Sequence, residues 1–214
     1  TIIDGGQNGS VVVINNDETE DALLMNFTIT NGSAYEGGGI FINNSFPSLS
    51  NLEISNNAVS YQGGGIYCEY SNSSMNNIDI NSNYAGNAGG GMYLYENNSN
   101  INNINILFNN TDGQGGGLVI HESSPNLNNF IINNNSASTF GGGIKIRDNS
   151  NPIMSDITIS GNSAENGGAI SSFNSNASIS TSTISNNSSN WNAGGIYINT
   201  GGNIEIVDNL IINN

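Results

Sequence analysis

The sequence predicts an all-β chain wound as a right-handed, single-stranded parallel β-helix of about eight coils, and three regularities carry that expectation. A Gly-Gly-Gly-aliphatic phrase returns at a constant interval, opening at Gly37, Gly63, Gly89, Gly115 and Gly141, then as Gly167-Gly168-Ala169 and Ala193-Gly194-Gly195. Between the phrases, apolar residues keep constant places in the period. One Asn stands at a constant corner of every period: Asn57, Asn83, Asn109, Asn135, Asn162 and Asn187. A fixed period of this length is the signature of stacked repeats, each of which buries its apolar face only against its neighbours.

The elements follow in order. Ile40, Ile66, Met92, Leu118, Ile144, Ile170 and Ile196 close the glycine phrase, and Ile42, Cys68, Leu94, Ile120, Ile146, Ser172 and Ile198 stand two residues on. That period of two predicts a short first strand with one face inward. A turn follows, marked by Pro47, Pro125 or Pro152. A second strand carries one inward residue (Leu49, Met75, Ile101, Leu127, Met154, Ile179), and a third carries a pair, as in Leu52/Ile54, Ile78/Ile80 and Ile104/Ile106. No window shows the three-and-four spacing of a helix, and Gly and Asn disfavour helix interiors. Strands this short cannot build hairpins of useful length, whereas winding each repeat once around an axis places every apolar column inside a core. Parallel crossovers set the expected right hand.

The Asn column predicts side-chain amides bonded from coil to coil, a structural ladder. Val59, Ala85, Thr111, Ala137 and Ala164, two residues on, are small enough for a tight corner. In the fifth repeat Pro152 comes one residue late and the stretch after Asn162 is one residue short, so the two irregularities cancel. Upstream, Ile14 is expected in the place of Ile40, with Val11 to Val13 replacing the glycines. The whole reads as one domain, 1–214: leading coils at 1–36, six regular repeats at 37–192 and a final partial coil at 193–214.

A net charge of -15, from 17 acids against Lys145 and Arg147 alone, argues against a nucleic-acid partner, since phosphate-backbone binding needs basic residues. No stretch approaches the roughly 20 apolar residues of a membrane span. The single Cys68 reads as a small buried hydrophobe outside any disulfide framework.

Repeats such as Gly63-Gly64-Gly65-Ile66-Tyr67-Cys68 and the run Asn26 to Ile42 resemble the right-handed parallel β-helix repeats of secreted and surface-anchored bacterial proteins. The variant Gly167 to Ile170 is similar to the repeat motif of polymorphic outer-membrane proteins, although the Phe-x-x-Asn motif of that family does not recur regularly. The resemblance implies an extracellular or cell-surface location and a structural or adhesive role. The wider superfamily resembles pectate lyases and other polysaccharide-active enzymes, whose catalytic motifs the chain lacks.

Chemistry concentrates on the first-strand face. Phe41, Tyr67, Tyr93 and Tyr197, with Tyr95 nearby, are expected to point outward as a row of platforms for a glycan or a partner surface. His121, Lys145 and Arg147 lie on consecutive first strands beside the acidic column Glu96, Glu122 and Asp148. Such a column would suit a calcium ion or an acidic sugar, and equally a set of mutually neutralising charges. His121 alone cannot build a zinc site, and it has no partners at the spacing a Ser-His-Asp set needs. The leading expectation is a non-enzymatic extracellular β-solenoid, structural or adhesive, self-associating head to tail through open coil ends. The alternative is a polysaccharide-binding protein, lyase or hydrolase using the first-strand face, with Arg147 or Lys145 as base.

Overall fold

The computed structural model describes residues 1–214 and contains strands and turns without a helix. The chain winds as a parallel β-solenoid of three sheets. The first-strand sheet has eight strands running coil by coil from Val12–Ile14 to Ile196–Asn199; a second has twelve, and a third has seven, from Ser33–Glu36 to Ser188–Asn192. Register is 26 residues per coil through the middle of the array: Met92 pairs with Leu118, Leu118 with Ile144, and the Asn83 amide bonds that of Asn109.

Most coils have three strands, but not the three expected. In five successive coils the predicted second and third strands form one continuous strand of eight residues, as in Ser48–Ser55, Ser74–Asn81 and Asn100–Leu107, whereas in the next coil they are separate as expected, Asn176–Ser180 and Thr183–Ser185. A residue with positive φ bends the continuous strands, as at Asn51 (51°), Asn77 (56°), Asn103 (56°) and Asn129 (56°). Asn tolerates this left-handed conformation better than most residues, and the bend lets inward residues stand three apart, as Leu49 and Leu52 do, without breaking the sheet. The third sheet occupies what the sequence marked as a corner, beyond the Asn column, with strands as short as Tyr84–Ala85 and Asn110–Thr111.

Two further details qualify the repeat alignment. Val12, not Ile14, pairs with Ile40, and Ile14 pairs with Ile42, so the first coil is two residues out of the expected register. In the fifth coil the offset grows to 27 residues between Asn126 and Ile153 and stays there at Ser136 and Ser163. The regular offset is restored where Phe140 meets Asn166. The extra residue sits in the turn at Asp148 and Asn149, both left-handed, so turns absorb the irregularity while the sheets keep their cross-section.

One apolar core runs the length of the solenoid, from Ile29 to Ile184. At its glycine corner, successive coils approach backbone to backbone. A Cβ on Gly90 would lie 2.5 Å from the Asn110 carbonyl oxygen and 2.6 Å from that of Gly116, and one on Gly116 would lie 2.5 Å from the oxygens of Gly142 and Ser136. The middle glycine of the phrase is therefore the one that never varies, while Ala169 and Ala193 appear at its third and first places.

Beside the glycines, each Asn of the column makes bonds along the axis. Asn109 Oδ1 accepts from both Asn83 N (2.9 Å) and Asn83 Nδ2 (3.0 Å), while Asn109 Nδ2 donates to Ile80 O (2.9 Å) and Asn135 Oδ1 (3.0 Å). The pattern repeats from Asn57 to Asn187, which bonds Asn214 in turn. Unpaired buried amides and N–H groups cost about 1–3 kcal/mol each. Asn109→Ala should thus lose about 2–4 kcal/mol in urea denaturation, because it orphans two donors of Asn83. Asn126→Ala, which removes one exposed amide contact to Asn100, should stay within about 0.5 kcal/mol. Gly90→Ala should cost about 3 kcal/mol, since no side chain can yield to the added methyl group.

Candidate functional site

The outward face of the first-strand sheet does not carry a row of open aromatic platforms. Phe41, Tyr67, Tyr93, Val119, Lys145, Ser171 and Tyr197 do form one column in register. Tyr67 and Tyr93, however, are only 5% and 2% exposed. The chain leaving the third sheet folds over them, and Ala88 joins Tyr67, Tyr93 and Val119 in a small outer core, with Phe41 and Tyr95 packed against it. Phe41 stacks on Tyr67 at 5.6 Å and Tyr67 on Tyr93 at 5.5 Å, distances at which aromatic pairs stabilise adjacent strands. The expected role of Tyr67 and Tyr93 as exposed glycan contacts is overturned by this burial; both side chains are structural.

The polar candidates are brought together. His121 and Arg147 are register partners, and Asp148 Oδ2 lies 2.6 Å from Arg147 Nε and 3.2 Å from His121 Nε2. Tyr93 Oη is 2.7 Å from His121 Nδ1. Burial, followed by the charge of Arg147, holds the His121 pKa below its ordinary value. The neutral ring then accepts the Tyr93 proton at Nδ1 and donates Nε2–H to Asp148. Glu96, Glu122 and Asp148 stand at left-handed corner positions (φ 44°, 47° and 55°) along an open groove of ≈ 330 Å³ with Asn98 and Asn149. No group of three His, Cys, Asp or Glu side chains is placed to hold a metal ion, and Asp148 is engaged by Arg147 and His121. The Arg147 guanidinium is held by that carboxylate.

Lys145 differs from the rest. It is 5% exposed and takes part in neither ion pair of the chain. Its Nζ donates to Ser171 Oγ at 3.1 Å and sits 5.0 Å from the Phe140 ring centre and 5.8 Å from that of Phe173. The aromatic column is interrupted here: Ser171 stands between Lys145 and Tyr197, and the missing side chain leaves a cleft of ≈ 280 Å³. Phe140, Lys145, Arg147, Phe173 and Tyr197 line it. Burial, with Arg147 adding to it, draws the Lys145 ammonium from 10.5 down to about 8. Phe140, contributed by the segment between the third sheet and the glycine phrase, had no signal in the repeat pattern, because Gln62, Ala88, Gln114 and Asn166 fill its place elsewhere.

A second buried polar column also escaped the sequence reading. Ser45, Ser71, Asn97, Ser123, Ser150 and Ser175 line the turn after the first strand, and Asn97 N, Ser123 N and Ser150 N each donate to the hydroxyl one coil on. Their near-constant spacing was the available signal, hidden by the abundance of Ser. Cys68 is buried beside this column, where burial pushes its thiol up to about 11 and leaves it unreactive.

This architecture is that of a parallel β-helix repeat protein: coils of constant perimeter, parallel pairing throughout the sheets and one shared core. Two stretches, residues 51–69 and 156–173, match the Chlamydia polymorphic membrane protein repeat. Each stretch starts at the bend residue of the second sheet, Asn51 or Asp156, passes the Asn corner and the glycine phrase, and ends with a first strand, at Glu69 or Phe173. No curated protein and no solved structure matches the chain significantly.

The buried ammonium predicts a pH dependence. Because the folded pKa of Lys145 lies below its unfolded value, the unfolded chain binds more protons between about pH 8 and pH 10.5. This group therefore opposes folding below about pH 8, and the opposition fades as pH rises through that window. The raised hydroxyls of Tyr67 and Tyr93, shifted chiefly by burial, act in the opposite sense only from about pH 10 upward. Lys145→Met should melt higher than the parent at pH 7, and the difference should shrink towards pH 10, as followed by circular dichroism.

Proposed function

We propose that the chain is a surface-displayed β-solenoid with a structural and adhesive role. The matched repeats carry this reading: they follow the path of the coil from bend to first strand, and the proteins for which the repeat is described are membrane proteins. The physical character of the solenoid supports it. About eight coils at roughly 4.8 Å each form a rod about 38 Å long. Its sides present neutral amides and hydroxyls cross-linked from coil to coil, such as Asn77 to Asn51, Asn129 to Asn103 and Asn176 to Asn151. Such a surface is stiff, uncharged over much of its area and well suited to holding a binding region away from a cell. Head-to-tail self-association belongs to the same reading, since coils of equal cross-section offer matching backbone edges to another copy.

Antibodies raised against the chain should label intact producing cells without permeabilisation, and the labelled protein should bind cultured cell monolayers saturably. Labelling that appears only after lysis would remove the surface location, and binding that never saturates would remove the adhesive role. Electron microscopy over a concentration series should show filaments of uniform width; isolated short rods throughout would sink the assembly step.

A further inference from the structure

The chain has two basic side chains in 214 residues, and both line one cleft. Arg147 is neutralised there by Asp148, which leaves the walls with one net positive charge, +2 from Lys145 and Arg147 against -1 from Asp148, in a chain of net charge -15. That remaining charge is the ammonium of Lys145, buried without a carboxylate of its own. A buried cation costs free energy unless it is paired, and an apolar residue at this position would be the more stable solution. Val119, one coil earlier in the same column, shows that the fold accommodates such a residue. Of the three donors of Lys145, one is taken by Ser171. The cleft walls are aromatic: Phe140 and Tyr197 face each other at 6.4 Å with planes 17° apart, and Phe173, 38% exposed, stands beside them.

We propose that this cleft binds a small monocarboxylate carried on a ring, the carboxylate on Lys145 and the ring against Phe140, Phe173 and Tyr197. A single net charge is matched in full by a monoanion, whereas a phosphate dianion would leave one negative charge uncompensated in the cleft. Aromatic faces accept either a planar aromatic ring or the apolar face of a sugar ring, so the ring is the open part of the ligand's identity. Ser171 is the residue that makes room: Tyr67 and Tyr93, at the equivalent positions of earlier coils, close the column there. The cleft lies within the second matched repeat and its neighbours, and its role goes beyond the surface function proposed above, standing or falling independently of it.

Ligand-observed NMR on the full chain tests the site with three probes: 4-hydroxybenzoate, D-glucuronate and the uncharged methyl 4-hydroxybenzoate. One or both carboxylates should bind and the ester should not; the carboxylate that binds tells an aromatic ligand from a sugar acid. Lys145→Met should weaken that binding about ten- to hundredfold, the range of a charge-assisted hydrogen bond, while melting no lower than the parent. Phe173→Ala, a change at an exposed ring that leaves the core intact, should weaken it as well. Absence of binding by both carboxylates at millimolar concentration, equal binding of the ester, or undiminished binding by Lys145→Met would each overturn the proposal.

Discussion

Backbone contact at the glycine corner is the constraint on which this solenoid depends. Where the third sheet hands over to the first, carbonyl oxygens of the coil above and of the neighbouring strand leave no room for a Cβ at the middle glycine. That contact holds successive coils at strand spacing on one side, and the Asn amides hold them beside it. With the corner pinned, each coil has the same perimeter. The inserted residue at Asp148 and Asn149 must then be given back before the next glycine phrase, and the pairing is regular again by Asn166. The apolar columns contribute most of the burial, but they do not by themselves fix the perimeter.

Polar residues inside this fold are resolved by periodicity. A lone buried Asn or Ser would be costly, yet one per coil gives each donor an acceptor one strand away, along the Asn column and along the Ser column at the opposite turn. Lys145 is the exception, because its neighbours in the column are Val119 and Ser171 and neither carries a charge. It breaks the local rule in one coil, within the stretch Val119, Lys145 and Ser171 where the column carries no aromatic ring, and the cleft lies beside it. Places where a regular structure departs from its own logic without a compensating gain in stability are where function is sought.

The matched repeats fit this division. Residues 51–69 and 156–173 span the corner that defines the coil, so the likeness concerns how the solenoid is built. The second stretch also contains Phe173, which lines the cleft, and Ser171, which bonds Lys145, where the first has Glu69 and Tyr67. The same scaffold thus carries a closed, stacked column in one coil and an open cleft in another.

Much of this was legible in the residues. The period, the inward columns and the place of the Asn corner are one-dimensional facts, because a solenoid maps sequence position onto angle about the axis. The continuous second-sheet strand was not legible: Asn51 and its equivalents look like turn residues, and only pairing on both sides shows that they bend a strand without ending it. Burial of Tyr67 and Tyr93 was hidden for a different reason. Period-two spacing tells which residues leave the core, whereas whether they then meet water depends on a segment from another part of the coil folding back across them, as Ala88 does. The sequence by itself therefore determined the winding and the side on which each residue lies. Only the tertiary structure decided which outward residues are covered, where the aromatic column opens, and that both cations of the chain share one cleft, since those depend on contacts between segments whose spacing follows no period.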